Sequence, residues 1–372
     1  MPTLVDLFLD LAAIDALSLQ ERPVADFIID WCRRRGLSVC EDDSGTAIGG
    51  SAGNLIIPIG DGGDMVLLAH MDTARPTTAL RPLVQGDRIT SDGTTILGAD
   101  NRAGIAVLLN ALDRLLVSGP PDRGFTLAFT ICEESTLDGS RRIALDERIR
   151  MGVVFDSALP PGNFIARSYG AQRFRARLTG RPAHAGIAPE TGIDAIATAA
   201  RAVARLRLGR LDDTTTANVG RFAGGSAVNV VPELAEVEGE VRALEAERVT
   251  AVVGDIEAAF REEAAGAGAG LKWSADWDFH PYRIDERAPV YSRVRAALAG
   301  TGLDPTPAVS PGGSDANSLN ARGIPTINLG IGARNPHAND EYILIDDLRR
   351  SAEVALALMR GPDGKPQHGT SP

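Results

Sequence analysis

The feature that most constrains the fold of this chain is a set of short apolar runs, each followed by side chains that can bind a metal ion. MVLLA at 65–69 leads into His70, FTLAFTIC at 125–132 into Glu133 and Glu134, and MGVVF at 151–155 into Asp156. Runs of this length and composition are typical of buried strands in a parallel sheet. Because ligands bind beyond the carboxyl ends of strands in open α/β sheets, the four side chains are expected at one edge.

Helical patterns alternate with these strands and predict an α/β domain with a doubly wound, mostly parallel sheet. Two amphipathic helices are expected within residues 3–36, the second beginning near Ser18, with Glu21 three residues on. A long apolar helix is expected at 105–117, and the glycine-rich approach to it places Asp100 near its N-terminus.

From about Gln172 the pattern changes to strand, helix, two strands, helix and strand, the βαββαβ order of a ferredoxin-like sandwich. The final part of the chain returns to alternating helices and strands. We therefore predict a catalytic metal-binding domain formed by residues 1–171 and 284–372. Residues 172–283 are predicted to form an inserted lid or dimerisation domain.

Composition excludes several classes of function. The 372 residues carry a formal net charge of -11, so most of the surface would repel a duplex nucleic acid or an anionic membrane. The three cysteines show no CxxC spacing, which argues against a disulfide framework and a structural zinc knuckle. The first residues have neither a positively charged leader nor an uninterrupted apolar span, so we expect a cytoplasmic protein.

The candidate ligands form a mixed nitrogen and oxygen set. In sequence order they are His70, Asp100, Glu133, Glu134, Asp156 and His337. Two histidines and four carboxylates suit one or two zinc-class ions better than magnesium, which prefers oxygen alone. Four carboxylates buried together would repel one another, so a cation makes such a cluster favourable. Six scattered surface residues would not all fall at strand ends or on glycine-rich loops.

Eight motifs of the chain resemble the metallopeptidase superfamily of peptidase T, the aminoacylases, succinyl-diaminopimelate desuccinylase and glutamate carboxypeptidase, with peptidase T as the nearest branch. They are LLAHMDT, DGTTILGADNRAG, ICEES, VFDS, GRPAHAGIAPETGIDAI, ANVGRFAGGSAVNVVP, GGSDAN and GIPTINLGIGARNPHANDE. These motifs lie in the family's order and are distributed over nearly the whole stretch from residue 50 to residue 342.

The resemblance implies a centre of two zinc ions, with cobalt or manganese as alternatives. It implies that Asp100 bridges the ions, with one pair of ligands on each; these pairs are His70 with Asp156, and Glu134 with His337. By the same resemblance Glu133 is the general base and Asp72 accepts a hydrogen bond from the far nitrogen of His70, which fixes its tautomer.

The sequence departs from the family beside the bridging residue. Where the family usually has Asp-Asp-Lys, this chain has Asp100, Asn101 and Arg102. The resemblance implies a cis peptide between Asp100 and Asn101, and a trans peptide there would count against it. The change of Lys to Arg102 keeps the positive charge.

The resemblance also assigns four residues to substrate binding, three of them in the inserted domain. They are His184, Asn229, Arg242 and Gly313. His184 would reach the active site of a partner subunit and stabilise the oxyanion, and an ordinary loop histidine is the alternative. Arg242 could bind a substrate carboxylate or form a structural salt bridge, and Gly313 could admit the substrate or serve a tight turn.

Taken together, these observations predict an exopeptidase of the aminopeptidase or tripeptidase type that hydrolyses short peptides and forms a homodimer through the inserted domain. Two alternatives within the superfamily are an N-acyl-amino-acid amidohydrolase and a carboxypeptidase. Asp156 favours the peptidase modestly, because several carboxypeptidase and desuccinylase relatives carry Glu there. A non-catalytic peptide-binding protein should have lost a ligand or the base, and none is lost here.

Overall fold

The computed structural model describes residues 3–119, 121 and 123–361 and divides into two compact units. Unit one comprises Met1–Ala166, Arg283–Val309 and Ser314–Pro372, and unit two comprises Arg167–Tyr282 and Ser310–Gly313. The sequence predicted divisions at 171/172 and 283/284. The assignment of Ser310–Gly313 to unit two agrees with its contacts there, since Arg242 Nη1 donates to Pro311 O at 3.2 Å.

The helices and strands are numbered in chain order. The helices are α1 (Leu4–Ala12), α2 (Arg22–Arg33), α3 (Ser44–Ile48), α4 (Ala99–Ser118), α5 (Asp138–Arg142), α6 (Ala195–Arg205), α7 (Ala246–Ala267), α8 (Pro289–Gly300), α9 (Asp315–Ala321) and α10 (Ile345–Arg360). The strands are β1 (Cys40–Glu41), β2 (Leu55–Ile59), β3 (Met65–His70), β4 (Leu83–Gln85), β5 (Arg88–Thr90), β6 (Phe125–Thr130), β7 (Met151–Ser157), β8 (Asn163–Ser168), β9 (Gly170–Thr179), β10 (Gly209–Asp212), β11 (Thr215–Gly224), β12 (Leu234–Ala243), β13 (Gly270–Phe279), β14 (Tyr282–Arg283), β15 (Thr306–Ser310), β16 (Thr326–Gly330) and β17 (Tyr342–Leu344).

Unit one is built on a mixed sheet whose interior is parallel. Its strands follow the order β1-β2-β6-β3-β7-β16-β8. The pairs β6–β3, β3–β7 and β7–β16 are parallel, and β1–β2, β2–β6 and β16–β8 are antiparallel. Every residue of β3 and β6 is buried, as expected for apolar runs inside a sheet. The predicted fold class is confirmed.

Two groups of helices pack in unit one, α1, α4, α8 and α10 in one group and α3, α5 and α9 in the other. Helix α4 packs on β3 and β7, and α1 and α10 pack on α4. Helix α4 approaches the sheet so closely at Gly104 that a Cβ atom there would lie 2.2 Å from the carbonyl oxygen of Phe155. No helix of the described residues is long and apolar enough to cross a membrane.

The second helix begins later than predicted. Helix α2 starts at Arg22, with Pro23 in its first turn, and the prediction of a start near Ser18 is wrong. The pattern resembled a capping box, but both of its side chains bond elsewhere. Ser18 Oγ donates to Asp72 Oδ2 at 2.6 Å, and Glu21 Oε1 accepts from Cys132 N at 3.0 Å. Pro23 suits the first turn because its fixed φ is already helical.

Unit two has the predicted βαββαβ order, carried by β9, α6, β11, β12, α7 and β13, with β10 added at one edge. Its antiparallel sheet follows the order β10-β11-β12-β9-β13. Alternate residues of β9 point to opposite faces. Phe174 belongs to the core with α6 and α7. Arg173 and Arg175, on the other face, pair with Asp278 and Glu238.

Candidate metal centre

The structure brings together the seven unit-one residues that the sequence singled out. His70 is the last residue of β3, Asp156 lies near the end of β7, and Glu133 and Glu134 follow β6. Asp100 lies in the first turn of α4, where its φ of -84° and ψ of 104° depart from helical values. The parallel strands β6, β3 and β7 thus deliver their ligands to a common edge.

Asp100 stands between two groups of ligands. Its Oδ1 lies 3.1 Å from His70 Nε2, and its Oδ2 lies 3.4 Å from His337 Nε2. His70 Nε2 is also 3.3 Å from Asp156 Oδ1, and His337 Nε2 is 2.9 Å from Glu134 Oε2. The two carboxylate oxygens of Asp100 therefore face different histidines, each with one further carboxylate.

The carboxylate of Asp72 holds the turn that carries Glu133 and Glu134. Its two oxygens accept the backbone N–H groups of Glu133 and Glu134, each at 3.1 Å. His70 Nδ1 lies 3.1 Å from the backbone oxygen of Asp72 and 3.4 Å from Asp72 Oδ1. A proton on Nδ1 would bond there, while Nε2 faces Asp100 and Asp156 and could bind a metal ion once its own proton is released.

Burial sets the electrostatics of the carboxylates. It raises the pKa of Glu134 to about 7, with the charge of Asp100 as the next cause. Burial also raises the pKa of Glu133 well above its ordinary value. The pKa of Asp100 is lowered, because hydrogen bonds from His337 and His70 outweigh the effect of burial.

The histidines hold their protons strongly. The pKa of His337 is raised to about 10 by its hydrogen bonds to Asp100 and Glu134. Burial alone would lower the pKa of His70, but the charge of Glu133 and the bond to Asp100 raise it well above its ordinary value.

These properties fit divalent metal ions. Ligand atoms of His70, Glu133 and Asp156 lie within 4.8 Å of one another, as do those of His70, Asp100 and Glu134. The nitrogen and carboxylate donors suit a zinc-class ion. Buried groups that retain extra protons would release them in exchange for a cation of higher charge.

Two residues that the sequence reasoning missed hold ligands in place. Glu341 is fully buried and accepts the N–H groups of Gly98 at 2.7 Å and Asp100 at 3.0 Å. Asn328 Nδ2 donates to Asp156 Oδ2 at 3.3 Å. Glu341 lies four residues after His337, and this proximity to a candidate ligand was the sequence signal that could have found it. Asn328 lies within the last predicted strand, where no sequence signal distinguished it.

The departure beside Asp100 is accommodated within unit one. The Asp100–Asn101 peptide is cis, as predicted. Asn101 Oδ1 accepts the N–H of Gly104 at 3.0 Å. Arg102 is fully buried and donates to the carbonyl oxygens of Met71 and Ile14, the latter at 3.3 Å.

Two of the predicted substrate-binding residues lie side by side in unit two. His184 forms an isolated β-bridge with Val230, and Asn229 O accepts the N–H of Ala185 at 2.9 Å. Both side chains are exposed. His184 Nδ1 accepts from Gly186 N at 3.1 Å.

The other two have structural partners within unit two. Arg242 donates to Glu240 from Nε at 2.9 Å and from Nη2 at 3.1 Å, which is the salt bridge considered as its alternative. A Cβ atom on Gly313 would lie 2.6 Å from the ring of Phe279. Close packing against this ring therefore explains the glycine.

Comparison with known proteins identifies the family. The pattern of the peptidase dimerisation domain matches residues 167–267, and that of peptidase family M28 matches residues 54–184. Aminopeptidase PepT from Bacillus cereus is 34% identical with a TM-score of 0.86, covering 96% of this chain and 97% of that chain. A tripeptidase from Staphylococcus aureus is 30% identical with a TM-score of 0.89 and the same two coverages, 96% and 97%. Peptidase T from Shouchella clausii is 28% identical over 73% of this chain and 67% of its own length.

The chain belongs to the peptidase T-like branch of the dinuclear metallopeptidases. It is a metal-dependent exopeptidase with a centre for two metal ions. The matched dimerisation domain indicates that the chain forms homodimers.

Proposed function

We propose that this exopeptidase is an aminopeptidase or tripeptidase that hydrolyses short peptides at a centre of two zinc ions, with Glu133 as the general base. The observation that carries the proposal is the position of Asp100, whose two oxygens face His70 and His337 separately. In this assignment His70 and Asp156 would hold one ion, Glu134 and His337 would hold the other, and Asp100 would serve both. The nitrogen and carboxylate donors support zinc, with cobalt and manganese as alternatives.

The ions, when bound, supply Lewis acidity that polarises the scissile carbonyl and lets water act as a nucleophile near neutral pH. Glu133 is suited to the proton transfers, since its Oε2 lies 3.9 Å from His70 Nε2 and its backbone is fixed by Asp72. Its carboxylate takes a proton from the attacking water as the new C–O bond forms. It then gives this proton to the nitrogen of the leaving amine as the C–N bond breaks.

The preference for peptides over acylated amino acids rests on the relatives and on one ligand. The relatives at 34% and 30% identity are an aminopeptidase and a tripeptidase. Asp156 stands where several carboxypeptidase and desuccinylase relatives carry Glu. An assay with zinc, cobalt and manganese can distinguish a peptidase from an amidohydrolase of N-acyl amino acids. Its substrates are dipeptides, tripeptides, N-acetylated tripeptides and N-acyl amino acids. Rapid hydrolysis of the acylated substrates alone would exclude the aminopeptidase.

The role of Glu133 is tested by Glu133→Gln in the metal-loaded protein. Loss of the general base should lower kcat by at least about 100-fold while the metal content stays unchanged. Glu147→Gln, on an exposed glutamate, is the matched control and should keep wild-type activity. Full activity of Glu133→Gln would refute the assigned role.

We further propose that the homodimer forms through unit two. The edge of β11 supports this, because β10 pairs only with Thr215–Ala217 among the described residues. Beyond them β11 pairs with β12 alone, and Phe222 is 42% exposed. An open strand edge with an exposed aromatic residue favours association. The dimer would then bring His184 of one subunit to the active site of its partner.

Sedimentation equilibrium tests this interface. Phe222→Glu should shift the protein from dimer towards monomer, because a charge would be buried at the edge of β11. Val117→Glu changes another exposed apolar residue, in α4 of unit one, and should leave the dimer intact. If Phe222→Glu remains a dimer, the edge of β11 is not the interface. If His184→Ala is fully active, His184 has no role in the active site of the partner.

A further inference from the structure

We infer that Arg75 recognises the C-terminal carboxylate of a short peptide substrate. This inference rests on the proposed function and specifies the substrate as a free acid. Arg75 lies in the loop that follows β3, beside the metal ligands, and none of the sequence motifs gave it a role.

The loop that carries Arg75 is fixed on both sides. Thr73 N donates to Ala16 O at 3.0 Å, and Thr77 N donates to Asp15 Oδ1 at 2.9 Å. Between them, Ala74 N donates to Glu134 Oε1 at 3.2 Å, so the residue next to Arg75 contacts a proposed metal ligand. The position of Arg75 is thereby tied to the metal centre.

The guanidinium of Arg75 has donors to spare. The residue is exposed, and Nη1 donates to His337 O at 3.1 Å. Among the described residues no carboxylate oxygen forms an ion pair with it within 4.0 Å. A guanidinium has five N–H donors in a planar fork that matches a carboxylate. Most of these donors remain available to a ligand.

The position of Arg75 at the edge of the metal centre suits the carboxylate of a tripeptide. His337 joins the two places, since its carbonyl oxygen binds Arg75 and its Nε2 lies 2.9 Å from Glu134 Oε2. The guanidinium therefore contacts the backbone of a residue whose side chain faces the candidate metal ligands. In an aminopeptidase the C-terminal carboxylate of a tripeptide lies two residues beyond the scissile bond, about 7 Å in an extended chain.

The charges are complementary as well. In the proposed function the metal centre is occupied by the scissile peptide bond, so a substrate carboxylate needs a separate positive group. Arg75 supplies a positive group at its rim. A simpler role, in which Arg75 only holds His337 O, predicts no discrimination between charged and neutral ends of the substrate.

Steady-state kinetics on a tripeptide and its C-terminal amide separate these roles. With the free acid, Arg75→Gln should raise KM about 10- to 100-fold and change kcat by less than about twofold, because charged hydrogen bonds to the substrate are lost. With the amide, Arg75→Gln should match the wild type. Arg75→Lys should recover part of the preference, since it keeps the charge and loses the fork.

Arg81→Gln is the matched control, because Arg81 lies in the same loop with 80% of its side chain exposed. It should leave both substrates unaffected. Equal loss on acid and amide, or loss of bound metal in Arg75→Gln, would assign Arg75 to holding His337 and overturn the inference. A wild type that hydrolyses both substrates equally would also overturn it. Failure of the wild type to hydrolyse any peptide would instead overturn the proposed function.

Discussion

Asp72 organises the metal centre from behind the ligands. Its carboxylate accepts the hydroxyl of Ser18 at 2.6 Å and the backbone N–H groups of Glu133 and Glu134. Although burial raises the pKa of this carboxyl, hydrogen bonds from His70 and Ser18 lower it below its ordinary value. An ionised Asp72 can therefore orient His70 and hold the turn of Glu133 and Glu134 with one side chain.

Arg102 is a fully buried cation whose charge interacts with this buried carboxylate. Its pKa is lowered to about 10 by burial, against which the charges of Asp72 and Asp15 act. It therefore remains charged at neutral pH, and it holds Met71 O, between His70 and Asp72. The Lys that the family usually has at this position would offer a single point charge in place of the planar guanidinium of Arg102.

Replacement of Arg102 should destabilise unit one. In Arg102→Met the carbonyl oxygens of Met71 and Ile14 would lose a buried donor and Asp72 would lose a favourable charge, at a cost of about 3 kcal/mol in the free energy of unfolding. Urea denaturation of the metal-free protein measures this cost. Arg114→Met, which breaks an exposed pair with Glu353, should cost about 1 kcal/mol or less. Equal costs for the two variants would contradict the role given to Arg102.

The proximity of the candidate ligands could be predicted from the sequence because they follow strands with a visible apolar pattern, or lie on glycine-rich loops beside helices. The residues that support them could not. Ser18 and Glu341 act on Asp72 and Asp100 through contacts across 54 and 241 residues of sequence. No local periodicity marks such a pair, because only the tertiary fold brings the two segments together.

The start of helix α4 is the element that places Asp100. Gly98 precedes it in a left-handed conformation, with φ of 74°, which glycine adopts without a steric cost. The carboxylate of Glu341 then binds the N–H groups of Gly98 and Asp100 together. This pair of bonds fixes the backbone from which the Asp100 side chain projects.

Glu341→Gln should therefore weaken metal binding. The glutamine amide would present N–H groups to one of the two backbone donors, so one of the two bonds would be lost. We expect metal affinity to fall about 10- to 100-fold, measured by competition with a chelating indicator. Asp340→Asn, on the neighbouring residue that accepts from Asn335 Nδ2 at 2.9 Å, should bind metal as the wild type does. Unchanged affinity in Glu341→Gln would contradict this role.

Sequence patterns predicted the long elements better than the short ones. Strands β3, β6 and β7 were visible as apolar runs, whereas β4 is exposed along its whole length and was missed. The early start given to α2 has a different cause. Ser18 and Glu21 have the spacing of a capping box, but Ser18 bonds to Asp72 and Glu21 accepts from Leu19 and Cys132.

The whole molecule should respond to metal removal in a pH-dependent way. Glu134 has a pKa of about 7 in the folded protein and 4.5 as its ordinary value, so its stabilising contribution is present below 4.5 and lost as pH rises through 7. The pKa of His337 is raised from 6.5 to about 10, so its contribution is present below 6.5 and declines above it. Both groups destabilise the metal-free protein as pH rises from about 5 to about 8.

Thermal unfolding at several pH values checks this expectation. The Tm of the metal-free protein should fall by roughly 5 °C or more between about pH 5 and about pH 8, and the rise in Tm on adding zinc should be larger at the higher pH. Glu134→Gln should reduce the pH dependence of the metal-free protein. A Tm of the metal-free protein that increases with pH would contradict the raised pKa values of Glu134 and His337.

At the scale of the whole chain, the prediction of two domains rests on a second pattern, βαββαβ, that interrupts the first. The divisions in the structure, at Ala166/Arg167 and Tyr282/Arg283, lie five residues and one residue from the predicted ones. The segment Ser310–Gly313 could not be assigned from the sequence, because its contacts with Arg242 and Phe279 are tertiary. The cytoplasmic location stays a prediction.

The most direct test of the dinuclear centre is a metal titration of the metal-free protein, in which bound zinc and hydrolysis of a tripeptide are measured together. We predict that two ions bind per chain and that activity reaches its maximum only when both are present. Asp100→Ala, which removes the shared ligand, should fail to retain the pair and should be inactive. Full activity without added metal, or saturation at a single ion per chain, would contradict the assignment of these residues to a dinuclear centre.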